Sequence, residues 1–283
     1  MSDSTGKHYL IVEGGGFKTG FTSGILDAFI AGGFDPFDGY MGVSGGSVAV
    51  SYYTAKQYRQ TLESILYLAK DSNFVKYRRS LGQEGFMDID TLGRVSTKII
   101  PFDIKKALLH IRNKDFRIVA TDRQEGNPVY FKPSAQKWID HVIASCTLPF
   151  VTKGKHIIDG REYFDGGWSD ALPVKYAADQ GASRITVLRT WPVESVFNQS
   201  WPDYFGGIYF KGTPVLKEIF EKNYTIYNNS IEFINNPPQG ITVDQLAPKK
   251  LLKSGTYSYS KKSIMNDYRY GLDVGLRYIA QFK

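Results

Sequence analysis

Residues 39–55 read GYMGVSGGSVAVSYYTA and contain no charged side chain. The stretch 40–43 has strand propensity, the turn residues Ser44-Gly45-Gly46 follow, and Val48 and Val50 begin a helical pattern. Its glycines, serines and tyrosines make the segment too polar to cross a membrane. A segment that is uncharged yet rich in glycine is typical of the buried centre of a globular domain, where strand, turn and helix pack closely. We therefore expect the functional centre here.

The residues on either side predict an α/β fold with a mainly parallel sheet. A strand at 8–12 enters a glycine-rich loop, and Phe21, Ile25 and Phe29 then repeat at helical spacing. Strand, loop and helix thus occur twice in succession, which is the order of a parallel sheet with crossover helices. Further strands are predicted at 116–121, 129–131 and 184–188. We predict a core at 8–190, which would hold the functional centre, and a mainly helical C-terminal extension at 191–283 packed on it.

The amino-acid composition indicates a folded globular protein and bears on the cellular compartment in which it is found. The 283 residues have 42% apolar side chains, which suits a folded chain with a sizeable core. The single cysteine, Cys146, implies no disulfide, and the polar residues 1–8 do not resemble a signal peptide. We expect a cytoplasmic protein.

The net charge of +7 is concentrated near the C-terminus. Lys249, Lys250, Lys261 and Lys262 belong to this basic region. Such a patch attracts anionic lipid head groups or nucleic acid, and a solvated surface is the alternative. No RNA-binding motif or zinc finger accompanies it, so we expect no nucleic acid. If the region binds a partner instead of only facing solvent, an anionic membrane surface is the candidate.

The motif Gly42-Val43-Ser44-Gly45-Gly46 is a G-x-S-x-G between a predicted strand and a predicted helix. A nucleophile elbow needs this placement, because the turn at the serine is so sharp that its neighbours must be very small. The helix that follows points its N-terminus at the serine and favours negative charge there. The motif predicts Ser44 as a nucleophile, although G-x-S-x-G also occurs by chance in turns.

The loop Gly14-Gly15-Gly16-Phe17-Lys18 follows the first strand and allows backbone amides to converge. In a serine hydrolase such a loop is the oxyanion hole, and in a nucleotide-binding protein it holds phosphates. A P-loop needs glycine directly before Lys-Ser/Thr, where Phe17 stands, and the dinucleotide pattern fails at Thr19. A cation at Lys18, in the first helical turn, suits a site for anionic groups, with a solvated lysine as the alternative.

Asp165 is the best partner for Ser44. The four histidines (His8, His110, His141, His156) follow no obvious catalytic loop, and no histidine pair has metal-ligand spacing. Asp165 ends a predicted strand and precedes Gly166-Gly167, which permits close approach of a ligand. Burial would have to raise its basicity. The Asp159-Gly160 pair, by contrast, is explained by a hairpin turn alone.

In this order, the three motifs resemble those of the patatin-like phospholipase family. The family's G-G-G-x-[Arg/Lys]-G loop is similar to residues 14–18, its G-x-S-x-G to residues 42–46, and its D-G-[Ala/Gly] to residues 165–167. Further likeness lies at 22–27, 120–122, 144–145 and 148–149, so the resemblance covers 8–190 and is strongest to the bacterial members. Thr19 stands where the family usually has glycine, and Lys18 where arginine is more common.

The resemblance implies a three-layer α/β/α fold with a mainly parallel central sheet. It implies a lipid acyl hydrolase that acts on phospholipids or other acyl esters without a cofactor or metal. Ser44 would be the nucleophile and Asp165 the general base. Gly14, Gly15, Gly16 and Lys18 would form the oxyanion hole, and Gly42, Gly45 and Gly46 the elbow. The alternative is a noncatalytic module that binds lipid or nucleotide.

Overall fold

The computed structural model describes residues 6–71, 74–75, 85–198, 208 and 212–282. Within them, an eight-stranded sheet forms the centre of the molecule. The strands are β1 Lys7–Val12, β2 Gly39–Val43, β3 Asp115–Asp122, β4 Pro128–Phe131, β5 His156–Ile158, β6 Arg161–Asp165, β7 Ala182–Leu188 and β8 Thr242–Leu246.

Helices connect and cover the strands. They are α1 Thr19–Ala31, α2 Gly45–Thr54, α3 Gln60–Lys70, α4 Asp90–Arg94, α5 Ile104–His110, α6 Trp138–Ser145, α7 Gly167–Asp170, α8 Val174–Asp179, α9 Pro214–Asn235 and α10 Lys261–Ile279. A π-helical turn lies at Val95–Ile99, and 3-10 turns lie at Gly16–Lys18 and Ala280–Phe282. The segment 56–114 is helical at α3 to α5, and its residues 72–73 and 76–84 lie outside the described residues.

The sheet is mainly parallel, as predicted. Strands β3, β2, β1, β7 and β8 are neighbours in that order and run parallel, whereas β4, β5 and β6 pair in antiparallel fashion. Val43 of β2 pairs with Val119, and Asp165 of β6 pairs with the next residue, Ala120. At both positions, one edge of β3 is paired with β4. Strand β6 therefore pairs with the opposite edge, the same one as β2, and its pairing begins where that of β2 ends. This register brings the residue after β2 next to the end of β6.

Two apolar cores lie on opposite faces of the sheet. Leu10 and Val12 of β1 point into the larger core, which α1, α2, α3 and α10 complete. Tyr9 and Ile11, the alternate residues of the same strand, point into a second core that α8 and α9 cover. The alternation is that of a strand with both faces buried, and it gives the three-layer α/β/α arrangement.

Residues 213–282, named here the C-terminal region, contribute to all three layers. Helix α9 covers one face, α10 packs on α1 across the other, and β8 extends the sheet beyond β7. Helix α10 begins with a capping box between Ser260 and Ser263. A mainly helical extension was expected, whereas β8 was not predicted. The division into a core and an extension at residue 190 stays a prediction.

None of the helices in the described residues has a stretch long and apolar enough to cross a bilayer.

Candidate active site

Ser44 lies in a sharp turn between β2 and α2. Its φ is 51° and its ψ is −131°, a backbone conformation that residues other than glycine rarely adopt. A Cβ at Gly42 would lie 2.5 Å from Cα of Ser47, and one at Gly46 would lie 2.1 Å from the Val12 carbonyl oxygen. The turn therefore requires glycine at both positions, as the elbow motif predicted.

Two serines hold this turn by hydrogen bonds. The Ser44 amide donates to Oγ of Ser145 at 2.8 Å, and that hydroxyl donates to the Val119 carbonyl at 2.6 Å. The hydroxyl of Ser47 donates to the Ser44 carbonyl at 2.6 Å. Ser145 is the last residue of α6 and bonds to β3, whereas Ser47 belongs to α2, so the elbow is tied both to α2 and to β3.

Asp165 is brought to Ser44 by the pairing of β3 with its two neighbours. The Asp165 side chain is 3% exposed, and it lies near enough to the Ser44 side chain for the serine to lower its pKa. Its Oδ1 accepts a hydrogen bond from the Gly167 amide at 2.8 Å. A Cβ at Gly166 would lie 2.3 Å from the Val119 carbonyl oxygen, so the glycine after Asp165 permits this close approach.

The surroundings of Asp165 change its acidity. Burial raises the pKa of Asp165 to about 7, and hydrogen bonds from Ser44 and the Gly167 amide partly oppose the rise. Desolvation penalises the charged form, because a low-dielectric interior replaces water around the carboxylate. An aspartate with a pKa near neutrality is a far better proton acceptor than a solvated one.

The glycine loop lies directly beside Ser44. A Cβ at Gly14 would stand 2.7 Å from Cβ of Ser44, and Gly15 and Gly16 have φ values of 151° and 57°. Among the described residues, none accepts a hydrogen bond from the amides of Gly14, Gly15 or Gly16. These amides are therefore free to bind an oxygen that gains negative charge next to Ser44.

Lys18 does not occupy the place that the sequence analysis gave it. Its amide donates to the Gly15 carbonyl at 3.1 Å, and its ammonium lies 3.0 Å from the ring centroid of Trp191. Because the amide is engaged within the loop, Lys18 supports the loop instead of donating to an oxyanion. The side chain is 6% exposed, so it is not a solvated lysine, and burial lowers its pKa to about 8.

The four histidines and Asp159 have partners away from Ser44. His8 bonds to Thr186, His110 to Asp35 and His156 pairs with Asp140, while His141 stacks on Phe131. Asp159 sits in the tight turn of the β5–β6 hairpin and pairs with Lys137. These contacts agree with the interpretation that Asp165 is the better partner for Ser44.

A narrow apolar cavity of about 90 Å³ adjoins Ser44. Side chains from α2, α3, α4 and the segments around them line it: Val48, Ile65, Leu68, Met87, Ile89 and Leu92. Cys146 also lines the cavity, and burial raises the pKa of its thiol, so the group remains neutral there. A lining whose surface is mostly apolar suits a hydrocarbon chain better than it suits a phosphate.

Several residues around the site had no assigned role in the sequence analysis. Ser145 was part of a matching segment, but its bond to the Ser44 amide depends on tertiary contact. Thr190 and Trp191 follow β7, and their place next to the glycine loop follows from the pairing of β7 with β1. Thr256 and Tyr257 of the C-terminal region line the cavity, which no local motif indicated.

The arrangement was compared with known proteins. The family model described as patatin-like phospholipase matches residues 10–178. The chain belongs to the patatin-like phospholipase family. The matched part of this patatin-like protein contains Ser44, Asp165 and the glycine loop. A second model, described as a domain of unknown function (DUF6363), matches residues 213–283.

Two individual proteins are similar to this patatin-like chain over most of its length. One is the Escherichia coli K12 protein described as "Uncharacterized protein YjjU", 29% identical over 280 residues, or 97% of this chain and 78% of the relative. The other is the crystal structure of VipD from Legionella pneumophila, with a TM-score of 0.44 and 11% identity over 97% of this chain and 67% of VipD.

Proposed function

We propose that this patatin-like protein is a serine lipid acyl hydrolase in which Ser44 is the nucleophile and Asp165 the general base. The observation that carries the proposal is the buried carboxyl of Asp165, which lies beside the Ser44 side chain and has its pKa raised to about 7. A histidine-free pair of this kind needs an aspartate of raised basicity, and burial supplies it.

The reaction proceeds through a covalent acyl-enzyme. Oγ of Ser44 attacks the ester carbonyl carbon while its proton moves to Asp165, and the glycine amides stabilise the oxyanion. The C–O bond to the alcohol breaks, and Asp165 returns the proton to the leaving oxygen. Water then attacks the acyl carbon and gives its proton to Asp165, which protonates Ser44 as the carboxylic acid leaves. The N-terminus of α2, at Ser44, favours the negative charge in both tetrahedral species.

The cavity supports an acyl ester as the substrate class. Its apolar walls begin at Ser44 and run between α2, α3 and α4, which is where the hydrocarbon part of an acyl chain would lie. Each methylene group that is buried on binding contributes about 0.8 kcal/mol to the binding free energy. The cavity would therefore favour esters of longer acyl chains over acetate esters.

Labelling by a fluorophosphonate, read by intact mass, tests the proposal. We expect one label per wild-type chain, none on Ser44→Ala, and labelling slowed by roughly 10²-fold or more in Asp165→Asn. Asp159→Asn, in the exposed hairpin turn, is the matched control and should label at the wild-type rate. No labelling of folded wild type would contradict a hydrolase and favour the noncatalytic lipid- or nucleotide-binding module. Thermal shifts with ATP and with lipid would then separate these two.

We also propose that the basic part of the C-terminal region docks the enzyme on anionic phospholipid bilayers. Residues 248–262 contain five lysines and no acid, and all five lysines are exposed (Lys249, Lys250, Lys253, Lys261 and Lys262). None of them has an acidic partner among the described residues. Leu251, between them, is 69% exposed.

These lysines lie on the face of the molecule that carries the site. The segment containing Lys249 and Lys250 follows the carboxyl end of β8, which is parallel to β1 and β2. Gly20 faces Ile264 and Gly32 faces Ile279, so α10 runs parallel to α1 and begins at the same end of the sheet. Lysines attract anionic lipid head groups, and an exposed leucine among them can contact the apolar part of the lipid, so this surface is suited to an anionic bilayer.

Vesicle co-sedimentation tests the docking surface. Wild type should bind phosphatidylglycerol vesicles more strongly than phosphatidylcholine vesicles, and Lys249→Glu/Lys250→Glu or Lys261→Glu/Lys262→Glu should lose most of that binding. Lys105→Glu/Lys106→Glu, on α5 before the amino end of β3, is a control of equal charge change and should bind as wild type does. Equal binding by all variants, or preference for RNA over vesicles, would contradict the proposed surface.

A further inference from the structure

The glycine loop cannot hold its conformation by itself. Between β1 and the turn at Gly16–Lys18 it has a single internal hydrogen bond, from the Lys18 amide to the Gly15 carbonyl. Gly15 and Gly16 both have positive φ, which glycine adopts readily but does not enforce. The direction of the free amides therefore depends on contacts from outside the loop.

Glu13 provides the contact at the start of the loop. Its carboxylate is buried, and it accepts hydrogen bonds from the amide and the hydroxyl of Thr190 after β7. The same hydroxyl lies 2.8 Å from the Gly14 carbonyl, to which it can donate instead. Burial raises the pKa of Glu13, and hydrogen bonds oppose the rise, with that from Tyr227 the largest.

Tyr227 reaches Glu13 from the C-terminal region. It lies on α9, more than 200 positions along the chain, and its hydroxyl donates to Oε1 of Glu13 at 2.5 Å. Arg189, fully buried, bonds to Gln245 of β8 and points one of its NH groups at the Tyr227 hydroxyl at 3.5 Å. The carboxylate before the glycines is thus oriented by residues of α9 and β8.

Thr256 holds the other end of the loop. Its carbonyl accepts a hydrogen bond from the Phe17 amide at 3.3 Å, and a Cβ at Gly16 would lie 2.2 Å from the same oxygen. The ring of Phe17 packs on Tyr259 with centroids 3.8 Å apart. The C-terminal region therefore contacts both ends of the loop, at Glu13 and at Phe17.

We propose that the C-terminal region is a positioning element of the oxyanion hole, and that Tyr227 and Thr256 fix the direction of the glycine-loop amides. The inference rests on the proposed hydrolase function, and it gives a role to the part of the chain that matches a domain of unknown function. Tyr227 is a positioning residue, because it acts through Glu13 and does not touch Ser44 or a substrate.

Tyr227→Phe tests the proposal, with Tyr278→Phe as its matched control. Tyr278 is a buried tyrosine of the C-terminal region whose hydroxyl, like that of Tyr227, donates to a carboxylate, here that of Asp244 at 2.8 Å. It contacts the middle of β7 and β8, and it touches neither the glycine loop nor Ser44. Both variants remove one phenol hydroxyl, so a general loss of stability should affect them alike.

The readouts are kcat and KM for an acyl ester and the second-order rate of fluorophosphonate labelling, at a temperature where each variant is folded. Tyr227→Phe should lower kcat and the labelling rate by about tenfold while KM changes by less than about twofold, because a shifted donor weakens the transition state. Tyr278→Phe should keep both rates within about twofold. In the Tyr227→Phe/Glu13→Gln double variant the losses should not multiply, since Tyr227 acts through Glu13.

Other results overturn the proposal in distinguishable ways. If wild type labels and folded Tyr227→Phe labels equally fast, the positioning role is wrong and the hydrolase proposal stands. If Tyr227→Phe and Tyr278→Phe lower the rate equally, the C-terminal region acts through stability alone. If wild type neither labels nor hydrolyses esters, the hydrolase proposal fails and this inference fails with it.

Discussion

The hydroxyl of Ser145 accepts a hydrogen bond of 2.8 Å from the amide of Ser44. Because Ser44 has a φ of 51°, the turn is strained and needs such support. The Ser145 hydroxyl also donates to β3, at the Val119 carbonyl. One buried side chain thus links the residue proposed as nucleophile to β3, the strand that pairs with β6 next to Asp165.

We predict that Ser145→Ala destabilises the protein and slows the reaction. The substitution leaves the Ser44 amide and the Val119 carbonyl buried without a partner, at a cost of about 1–3 kcal/mol. We expect kcat to fall while KM changes little, as measured by steady-state ester hydrolysis. Ser23→Ala removes another buried serine hydroxyl, one that bonds within α1, and should leave kcat unchanged. Wild-type kcat in folded Ser145→Ala would show that the elbow does not depend on this bond.

The reaction rate should depend on pH through Asp165. The carboxylate must be deprotonated to accept the Ser44 proton, and its pKa is raised to about 7. The kcat/KM should therefore rise about tenfold per pH unit below that value and reach a plateau above it. Asp27→Asn removes a different buried acid, with a pKa near 6, and should not move the midpoint. A profile that is flat between pH 5 and 8 would contradict Asp165 as the base.

Asp165→Asn should stabilise the fold at high pH. The pKa of Asp165 is about 7 in the folded protein and 3.8 for an aspartate in water, so between these values only the folded state holds the proton. Stability from this group is therefore present at low pH and is lost as the pH rises from about 4 to 7. We expect Asp165→Asn to gain roughly 1–3 kcal/mol over wild type at pH 8 and less at pH 4.5, by urea denaturation. A variant less stable than wild type at pH 8 would argue against a desolvated carboxylate.

Helices α1 and α10 should tolerate no side chain at Gly271. A Cβ there would lie 1.9 Å from the Phe21 carbonyl oxygen, which is backbone and cannot move aside cheaply. We expect Gly271→Ala to lower the free energy of unfolding by about 2–3 kcal/mol. Gly212→Ala meets open space and should change it by less than about 0.5 kcal/mol. Equal effects at the two positions would contradict the close packing of the helices.

Val48→Phe should shorten the range of accepted acyl chains. Val48 lies on α2 one turn after Ser44 and lines the apolar cavity. The larger phenylalanine ring would fill part of the cavity in which the acyl chain is proposed to lie. The kcat/KM for a decanoate ester should therefore fall at least ~10-fold, whereas that for an acetate ester should fall less than ~3-fold. The two p-nitrophenyl esters provide the comparison in one assay. An equal loss for both esters would show that the chain does not lie in this cavity.

The fold could be predicted, and the residues proposed to react could be singled out, because their signals are local. Ser44 and Asp165 each stand in a short motif beside tiny residues, and the glycines at 42, 46 and 166 are required by contacts with backbone or packed side chains. Strand β8 was missed because TVDQL at the sheet edge has only two strongly apolar residues. Lys18 was misplaced because a sequence does not show which group its amide or its ammonium meets.

The contacts that support the site arise only when distant parts of the chain meet. Ser145 is 101 positions from Ser44, and Tyr227 is 214 positions from Glu13. Neither residue belongs to a motif whose spacing names its partner. Their roles follow from strand pairing and helix packing, which place the ends of β1, β2, β3 and β7 at one edge of the sheet.

Detection of the acyl-enzyme tests the central claim most directly. Wild type mixed with p-nitrophenyl octanoate and quenched in acid within the first turnover should carry an octanoyl group on the peptide that contains Ser44, located by tandem mass spectrometry. The modified peptide should be absent from Ser44→Ala and should form much more slowly in Asp165→Asn. An octanoyl group on another residue, or ester hydrolysis that persists in Ser44→Ala, would contradict the account.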